Sequence, residues 1–347
     1  MTLACSPEIR PPQIYLRTGT ARMVSIRNRV KSALSEQPLL HDVLQLGYQL
    51  GRFLFAQLPL TLYCKWCTYV SKRVGVAETR RAVPVVVSLT SYGPRLKSAI
   101  VCIETLLHQS VRPDRLILWL AHDEDIVGVA VSLRRLEQRG LEVRRCEDWR
   151  SFKKIIPTVR EFPEAVIVTA DDDVFYPRKW LERLLGAYET DRNVIHCHLS
   201  QIIDFGSDGN LSPWVNWPSG NDAAGTTSFL VFPIGVGGVL YPPRSLDERV
   251  VDYELLMTLC SRADDIWLKA MSLLANTQCR QTRDFPEHYL QVPGSQVVSL
   301  WRSNVEDGGN DEQLFRTFTY FGLLDRLREK FRTETESDDQ PASIEDH

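Results

Sequence analysis

The sequence predicts an α/β fold in which helices flank a mostly parallel sheet, with a helical extension at the N-terminus. From residue 83 onward, short apolar runs alternate with stretches of helical period, which is typical of βαβ units. Apolar side chains make up 44% and charged ones 24% of the 347 residues, the balance of a folded protein with a sizeable core. Before residue 82, both the charge and the periodicity differ from the rest.

Residues 1–81 are predicted to form a basic amphipathic extension. They carry 12 basic and 4 acidic side chains, a net charge of +8 against −11 for the remainder. Apolar residues recur with helical period from Leu40 to Leu54, and Trp66 and Tyr69 continue the segment. Such a helix could lie in a membrane interface or pack on the main domain. No nucleic-acid partner is expected, because the body of the protein is acidic.

The expected location is the cytoplasm, with peripheral contact at the inner face of the membrane through the extension. The eight cysteines are irregularly spaced and no secretory signal begins the chain, so we expect reduced thiols. No stretch reaches the ~18 apolar residues that a spanning helix needs.

Four short apolar runs predict the parallel strands. They occupy 83–89, 116–120, 141–143 and 165–170. The first is continuous and rich in valine, which indicates a strand covered on both faces. Helical stretches separate the runs, at 100–107, 131–136 and 155–159. Ligands of such sheets bind outside the carboxyl ends of the strands, so the candidate binding loops are 90–95, 122–125 and 171–173.

The second half of the chain predicts a helix, two further strands and a long loop. The helix lies at 180–185 and the strands near 194–199 and 229–232. The loop at 204–225 is long for a compact domain, which is typical of lids, binding loops or disorder. Its Trp214 and Trp217 could stack on a sugar or belong to the core. The predicted boundaries are 82–302 for the catalytic domain, 303–332 for a helical segment and 333–347 for an acidic disordered tail.

Three carboxylates follow the fourth predicted strand directly. If the chain stays extended, Asp171 and Asp173 point to one side and Asp172 to the other. Two like charges ~4 Å apart cost about 4 kcal/mol at an effective dielectric near 20, so one protonates or a cation neutralises them. Mg²⁺ and Mn²⁺ prefer carboxylate and phosphate oxygens, which predicts a metal site shared with a diphosphate. The alternative is a turn in which the Asp side chains bond the backbone.

Residues 83–311 resemble the nucleotide-sugar-dependent glycosyltransferases of GT-A type, of the bacterial surface-polysaccharide kind. The matching segments are 88–95, 106–110, 113–114, 153–154, 171–173 in the place of the DxD motif, 237–238 and 264–267. The resemblance implies a GT-A, Rossmann-like sheet. It also implies that Asp173 binds the metal, that Asp171 contacts metal or ribose, and that the 90–95 loop surrounds the base.

The implied nucleotide-sugar contacts combine loop residues, lysines, acids and glycines. They are Thr90, Ser91, Tyr92, Arg95, Lys153, Lys154, Asp171, Asp172, Gly237 and Gly238. The lysines could add positive charge beside the diphosphate or form a solvated pair before a helix. The glycines could allow close approach of a ligand or make a turn. The metal ligands predicted are Asp171, Asp173 and, from its position late in the domain, His288.

A candidate general base stands at the start of another predicted helix. Asp264 and Asp265 precede an apolar face that includes Trp267 and Met271. A helix N-terminus keeps a carboxylate ionised, and glycosyl transfer with inversion needs a base for the acceptor hydroxyl. The alternative is an ordinary N-cap. Asp265 is favoured over Asp264.

These observations predict a metal-dependent glycosyltransferase of hexosyltransferase type. It would move a sugar from a nucleoside-diphosphate donor, expected to be a UDP-sugar, to a hydroxyl of a glycan or lipid-linked acceptor, with inversion, using Mn²⁺ or Mg²⁺. A metal-dependent phosphohydrolase fits less well, because Phe175 replaces the Thr or Val of its motif. A glycoside hydrolase needs only two facing carboxylates. A non-catalytic membrane-associated adaptor would function through the N-terminal extension.

Overall fold

A computed structural model describes residues 46–283, 289–295 and 309–338, with side chains described as far as residue 334. The chain divides into two compact units, Met1–Leu62 and Tyr63–His347. The described part of the first unit is helical, with a π-helical segment at Phe53–Gln57. Helix α1, Leu58–Val70, continues into the second unit. None of the described helices combines the length and the apolar content that crossing a bilayer requires.

The second unit is an α/β body. After α1 its described helices are α2 (Leu96–Leu107), α3 (Ala130–Glu137), α4 (Ile156–Glu161), α5 (Trp180–Thr190), α6 (Tyr253–Leu259), α7 (Asp264–Leu274), α8 (Gly309–Tyr320) and α9 (Leu323–Asp338). Its described strands are β1 (Val85–Thr90), β2 (Arg115–Ala121), β3 (Leu141–Cys146), β4 (Val166–Thr169), β5 (Val174–Phe175), β6 (Ile195–Cys197), β7 (Ser200–Ile202), β8 (Thr227–Ser228), β9 (Val231–Pro233), β10 (Val239–Tyr241), β11 (Cys279–Gln281) and β12 (Leu290–Gln291).

Eight of these strands form the central sheet, in the order β3-β2-β1-β4-β10-β6-β11-β8. The first four run parallel, β10 is antiparallel to both of its neighbours, and β6 and β11 are again parallel. The predicted fold class, a mostly parallel sheet flanked by helices, is therefore confirmed. The four predicted apolar runs became β1 to β4, each with bounds shifted by a few residues.

Both faces of the sheet are covered, as the continuous apolar run at 83–89 predicted. Alternate residues of β1 enter different apolar clusters: Val85, Val87 and Leu89 pack with α2 and α5, whereas Val86 packs with Ile117 on the opposite face. The latter face continues into a larger cluster with α7, α8 and α9. The few polar side chains inside this sheet, such as Ser88 in β1 and His196 in β6, are fully buried.

The end of α1 packs on the body of the second unit. Cys64 and Cys67 are 3% exposed, and Thr68 donates a hydrogen bond to Glu104 in α2 (3.1 Å). One side of residues 63–70 therefore packs on the body, while Trp66, Tyr69 and Val70 on another side stay exposed.

Two sequence predictions in the later part of the chain are corrected. The 204–225 loop is not an open lid, because Trp214 and Trp217 lie in the core against Phe232 and the Trp214 N–H donates to Asp311 (2.7 Å). Helix α9 runs to Asp338. The prediction that a disordered tail begins at residue 333 is therefore wrong for residues 333–338. The apolar face of α9 packs on the core through Leu323, Leu327 and the partly buried Phe331.

Candidate active site

The order of the strands places a topological switch point between β1 and β4. The chain builds β1, β2 and β3 in one direction across the sheet and then returns to add β4 on the other side of β1. Such a topological switch point is where open α/β sheets bind ligands, outside the carboxyl ends of the strands. Residues 90–95 follow β1 and residues 171–173 follow β4. Two of the three candidate loops therefore meet at this point.

Asp172 joins these two loops by its side chain. Its carboxylate accepts a hydrogen bond from the Ser91 hydroxyl (2.6 Å) and from Nε of Arg95 (3.1 and 3.2 Å), and Arg95 adds a further ion pair through its terminal nitrogen. Asp172 is only 4% exposed. The structure therefore gives this residue a positioning contact between the loops.

Asp173 shares the same guanidinium. One of its oxygens lies 3.1 Å from the terminal nitrogen of Arg95. Burial and then the negative charge of Asp171 raise the pKa of Asp173 to about 6, although the positive charge of Arg95 lowers it. The expected alternation of the three acids is wrong. The chain turns after Asp171, so the carboxylates of Asp172 and Asp173 both pair with Arg95, whereas that of Asp171 pairs with a different residue.

Asp171 instead contacts a buried lysine that links two acidic motifs. The Lys154 ammonium donates to Asp171 (2.7 Å) and lies 2.7 Å from an oxygen of Asp264, at the start of α7, as an ion pair without hydrogen-bond geometry. Burial lowers the pKa of Lys154, but Asp171, Asp264 and Asp265 outweigh it and raise the pKa well above its usual range. The lysine is therefore a permanent cation between the 171–173 motif and the 264–265 motif.

Asp265 faces the glycine-rich turn that precedes β10. Its carboxylate accepts a hydrogen bond from the Gly235 N–H (2.9 Å), and a Cβ on Gly235 would lie 2.6 Å from the other oxygen. Burial and then the charge of Asp264 raise the pKa of Asp265 to about 7, although Lys154 and the Gly235 amide oppose the shift. A carboxylate with a pKa near neutrality suits a general base.

The predicted glycines, Gly237 and Gly238, are placed at the same edge but pack against an indole. Gly238 has a φ of +93°, and a Cβ there would lie 2.4 Å from the buried ring of Trp180. The Trp180 ring N–H donates to the Gly237 carbonyl (2.7 Å). Of the two readings of these glycines, the described contacts support a turn that needs glycine for its backbone.

One residue that sequence reasoning missed joins the glycine turn to the acidic motif. The Tyr176 hydroxyl accepts a hydrogen bond from the Asp171 N–H (2.8 Å) and donates one to the Val236 carbonyl (3.2 Å). Tyr176 is buried and its ring packs on Trp180 at 4.5 Å. Nothing in the local pattern marks a tyrosine five residues after the first Asp as a positioning residue.

Other predicted site residues lie farther from the carboxylates or outside the described residues. The Lys153 ammonium pairs with Asp148, so it does not accompany Lys154. The Thr90 hydroxyl donates to the Trp119 carbonyl (2.9 Å) at the end of β1. Tyr92 is 38% exposed beside Arg95. His288 lies outside the described residues, so its predicted role as a metal ligand stays a prediction.

The described contacts bring five carboxylates together with two cations. The acids are Asp171, Asp172, Asp173, Asp264 and Asp265, and the cations are Arg95 and Lys154. Arg95 and Lys154 therefore supply part of the positive charge that the sequence pattern assigned to an inorganic cation. An excess of acid remains even so. Divalent ions such as Mg²⁺ take one or two protein carboxylates and complete their shell with phosphate and water, so the donor set fits such an ion.

A separate group of potential metal ligands belongs to the packing of α1. Cys67, Glu104 and His108 offer ligand atoms within 4.8 Å of one another. Arg139 takes both oxygens of Glu104, at 2.8 and 2.9 Å, and burial raises the pKa of the Cys67 thiol. The cluster is therefore a buried ion pair beneath a helix.

Comparison with known proteins yields similarity of structure alone. No protein-family model and no curated protein sequence matches the chain. A mannosyltransferase from Pyrobaculum calidifontis, solved with GDP-Man and Mn²⁺, is 14% identical with a TM-score of 0.43, covering 80% of this chain and 78% of its own. The inositol-1-phosphate CTP transferase from T. maritima is 8% identical with a TM-score of 0.38, covering 69% and 98%. HddC from Yersinia pseudotuberculosis is 11% identical with a TM-score of 0.33, covering 66% and 97%. Likenesses at this level carry no argument about activity.

Proposed function

We propose that the protein is a metal-dependent, nucleotide-sugar-dependent glycosyltransferase of GT-A type, with a UDP-sugar as donor and Mn²⁺ or Mg²⁺ as cofactor. The observation that carries the proposal is the meeting of two acidic motifs at the switch point of the sheet, joined by Lys154. A carboxylate cluster of this size has no packing role, since each ionised acid in it is costly to bury. Its position and excess negative charge suit a metal and a diphosphate.

The donor side of the proposed site consists of the 90–95 and 171–173 loops. Asp171 and Asp173 would hold the divalent ion, which when bound would stabilise the charge of the nucleoside-diphosphate leaving group. Asp172 would not contact donor, because Ser91 and Arg95 occupy its carboxylate. It would instead fix the distance between the loops. The exposed ring of Tyr92 offers a surface on which a base could stack.

The acceptor side is proposed to centre on Asp265. The acceptor hydroxyl oxygen would bond to the anomeric carbon as the bond from that carbon to the diphosphate oxygen breaks, and the hydroxyl proton would pass to the Asp265 carboxylate. The pKa of about 7 leaves this carboxylate able both to ionise and to accept a proton near neutral pH. Attack from the face opposite the leaving group would give inversion. A hydroxyl of a glycan or lipid-linked molecule in polysaccharide biosynthesis is the proposed acceptor.

The first test is release of nucleoside diphosphate from a panel of nucleotide sugars. We expect release that requires Mn²⁺ or Mg²⁺ and stops with a chelator. Asp173→Asn removes one charge from the proposed metal site, so the metal concentration for half-maximal release should rise at least about tenfold. The measurement is the rate of release as a function of metal concentration.

Asp325→Asn is the matched control, because Asp325 is an exposed acid that pairs only with Arg328 in the described contacts. Its metal dependence should equal that of the unsubstituted protein. Full release in a chelator, or an unchanged metal requirement in Asp173→Asn, would remove Asp173 from the metal site. Hydrolysis of simple phosphate esters without nucleotide-sugar turnover would favour a phosphohydrolase instead.

A further inference from the structure

Residues 46–74 hold an unusual share of the exposed apolar side chains. Of the 18 large apolar side chains that are exposed in the described residues, 10 lie in this segment. The segment holds only about a tenth of the described residues. Single exposed apolar side chains need no explanation, but a concentration of them marks an interaction surface.

Each of the two units contributes to this set. The first unit exposes Leu46, Tyr48, Leu50, Leu54, Phe55 and Leu62, with Phe55 at 77%. The second unit exposes Trp66, Tyr69, Val70 and Val74, with Trp66 at 51%. On α1 the opposite side is buried at Cys64, Cys67 and Thr68. The helix therefore uses one side for the body and leaves an aromatic side in water.

The charge of the segment indicates the chemistry of the partner. Residues 46–74 contain Arg52, Lys65, Lys72 and Arg73 and no acidic residue, although the chain as a whole carries a net charge of −3. Lys65 and Lys72 are exposed beside the exposed aromatic rings. Tryptophan and tyrosine between lysines are typical of helices that lie in a membrane interface, where the rings enter the headgroup level and the ammonium groups meet anionic lipid.

We propose that residues 46–74 bind the surface of a bilayer that contains anionic phospholipid. Apolar burial supplies part of the affinity, and the exposed Lys65 and Lys72 supply most of the electrostatic part. A protein partner with an acidic groove would satisfy the charges, but each unit by itself exposes apolar side chains, and those of the second unit include aromatic rings near lysines, which suits a headgroup interface. The inference stands apart from the proposed glycosyl transfer, because it uses none of the residues of that site.

The test is sedimentation of the full chain with vesicles of phosphatidylcholine, alone or with phosphatidylglycerol. We expect binding to the anionic vesicles, weak binding to the neutral ones, and release near 1 M salt, where the Debye length falls to about 3 Å. Neutralising two lysines in Lys65→Gln/Lys72→Gln should weaken binding about 25-fold, since each basic residue near such a surface contributes about fivefold. Phe55→Ser/Trp66→Ser should weaken it by about tenfold or more.

Matched controls separate the surface from general effects of charge and hydrophobicity. Lys97→Gln/Lys179→Gln removes two exposed lysines elsewhere, and Phe315→Ser/Val215→Ser removes two exposed apolar side chains elsewhere. These variants should bind the vesicles as the unsubstituted chain does, and circular dichroism should show that all four are folded. Absence of vesicle binding, equal losses in the controls, or a concentration-dependent oligomer that Phe55→Ser/Trp66→Ser abolishes without any vesicle binding would overturn the proposal.

Discussion

Replacing Lys154 by methionine should destabilise the protein by about 3–5 kcal/mol, the usual cost of removing one partner from a buried ion pair. The methionine keeps the length of the apolar stem but leaves Asp171 and Asp264 facing each other without the ammonium that lies 2.7 Å from both. Chemical denaturation at neutral pH measures the free energy of unfolding. Lys153→Met is the control, because the Lys153 ammonium pairs with Asp148, which is 63% exposed and can return to water.

The loss in Lys154→Met should also depend on pH. In the folded protein burial and the charge of Asp264 raise the pKa of Asp265 to about 7, although Lys154 lowers it. An Asp in an unfolded chain titrates near 3.9. A carboxyl whose folded pKa is raised binds protons more tightly when folded, so its contribution to stability falls as pH rises from about 4 to about 7. Removing Lys154, which lowers the pKa of Asp265, should raise that pKa further. The destabilisation should therefore be smaller near pH 5 than near pH 8, and equal losses in both lysine variants at all pH values would deny Lys154 its role as the link.

Asp265→Asn should lower the rate of sugar transfer by about 10²–10⁴-fold, the usual contribution of a positioned general base. An amide keeps the shape of the side chain and can still accept the Gly235 N–H, but it cannot take the acceptor proton. The affinity for the donor should change little, because Asp265 is proposed to face the acceptor. Steady-state kinetics with varied donor measure both quantities.

The neighbouring acid gives the matched comparison for this result. Asp264 is held beside Lys154, so Asp264→Asn should alter positioning and give a smaller loss of turnover. The unsubstituted protein should gain transfer activity as pH rises through about 7, as the proposed base ionises, and Asp265→Asn should lose this rise. If Asp264→Asn loses more turnover than Asp265→Asn, the base is Asp264. If Asp265→Asn changes only the stability of the protein, Asp265 is an ordinary residue of the helix start.

The sheet could be predicted from the sequence because its pattern is local. Each parallel strand is buried on both faces, so a valine-rich run such as 83–89 carries its own signature. The short strands of the second half, such as β5 with two residues, are set by pairing with distant segments, and no local pattern specifies them. The core position of Trp214 depends likewise on Phe232 and Asp311, which lie far along the chain.

The meeting of two candidate loops was predictable from the sequence, but the contacts between their side chains were not. The strand rule placed both Arg95 and the three acids at one edge, which the structure confirms by the Arg95–Asp172 contact. The direction of each carboxylate depends on the turn after Asp171, and the link from Lys154 to Asp264 joins segments 110 residues apart. No spacing in the sequence reveals such a contact, and for the same reason Tyr176 was missed.

The most direct test of the metal–diphosphate site is the melting temperature of the unsubstituted chain and of Asp173→Asn with UDP, Mn²⁺ or both. A ligand at about 100 times its Kd that binds only the folded state adds about 2.7 kcal/mol to the free energy of unfolding. We predict that UDP and Mn²⁺ together raise the melting temperature of the unsubstituted chain more than the sum of the separate effects, and that Asp173→Asn loses this gain. If UDP stabilises the protein equally without metal, or if Asp173→Asn keeps the joint effect, then the carboxylates at the switch point do not bind a metal–diphosphate.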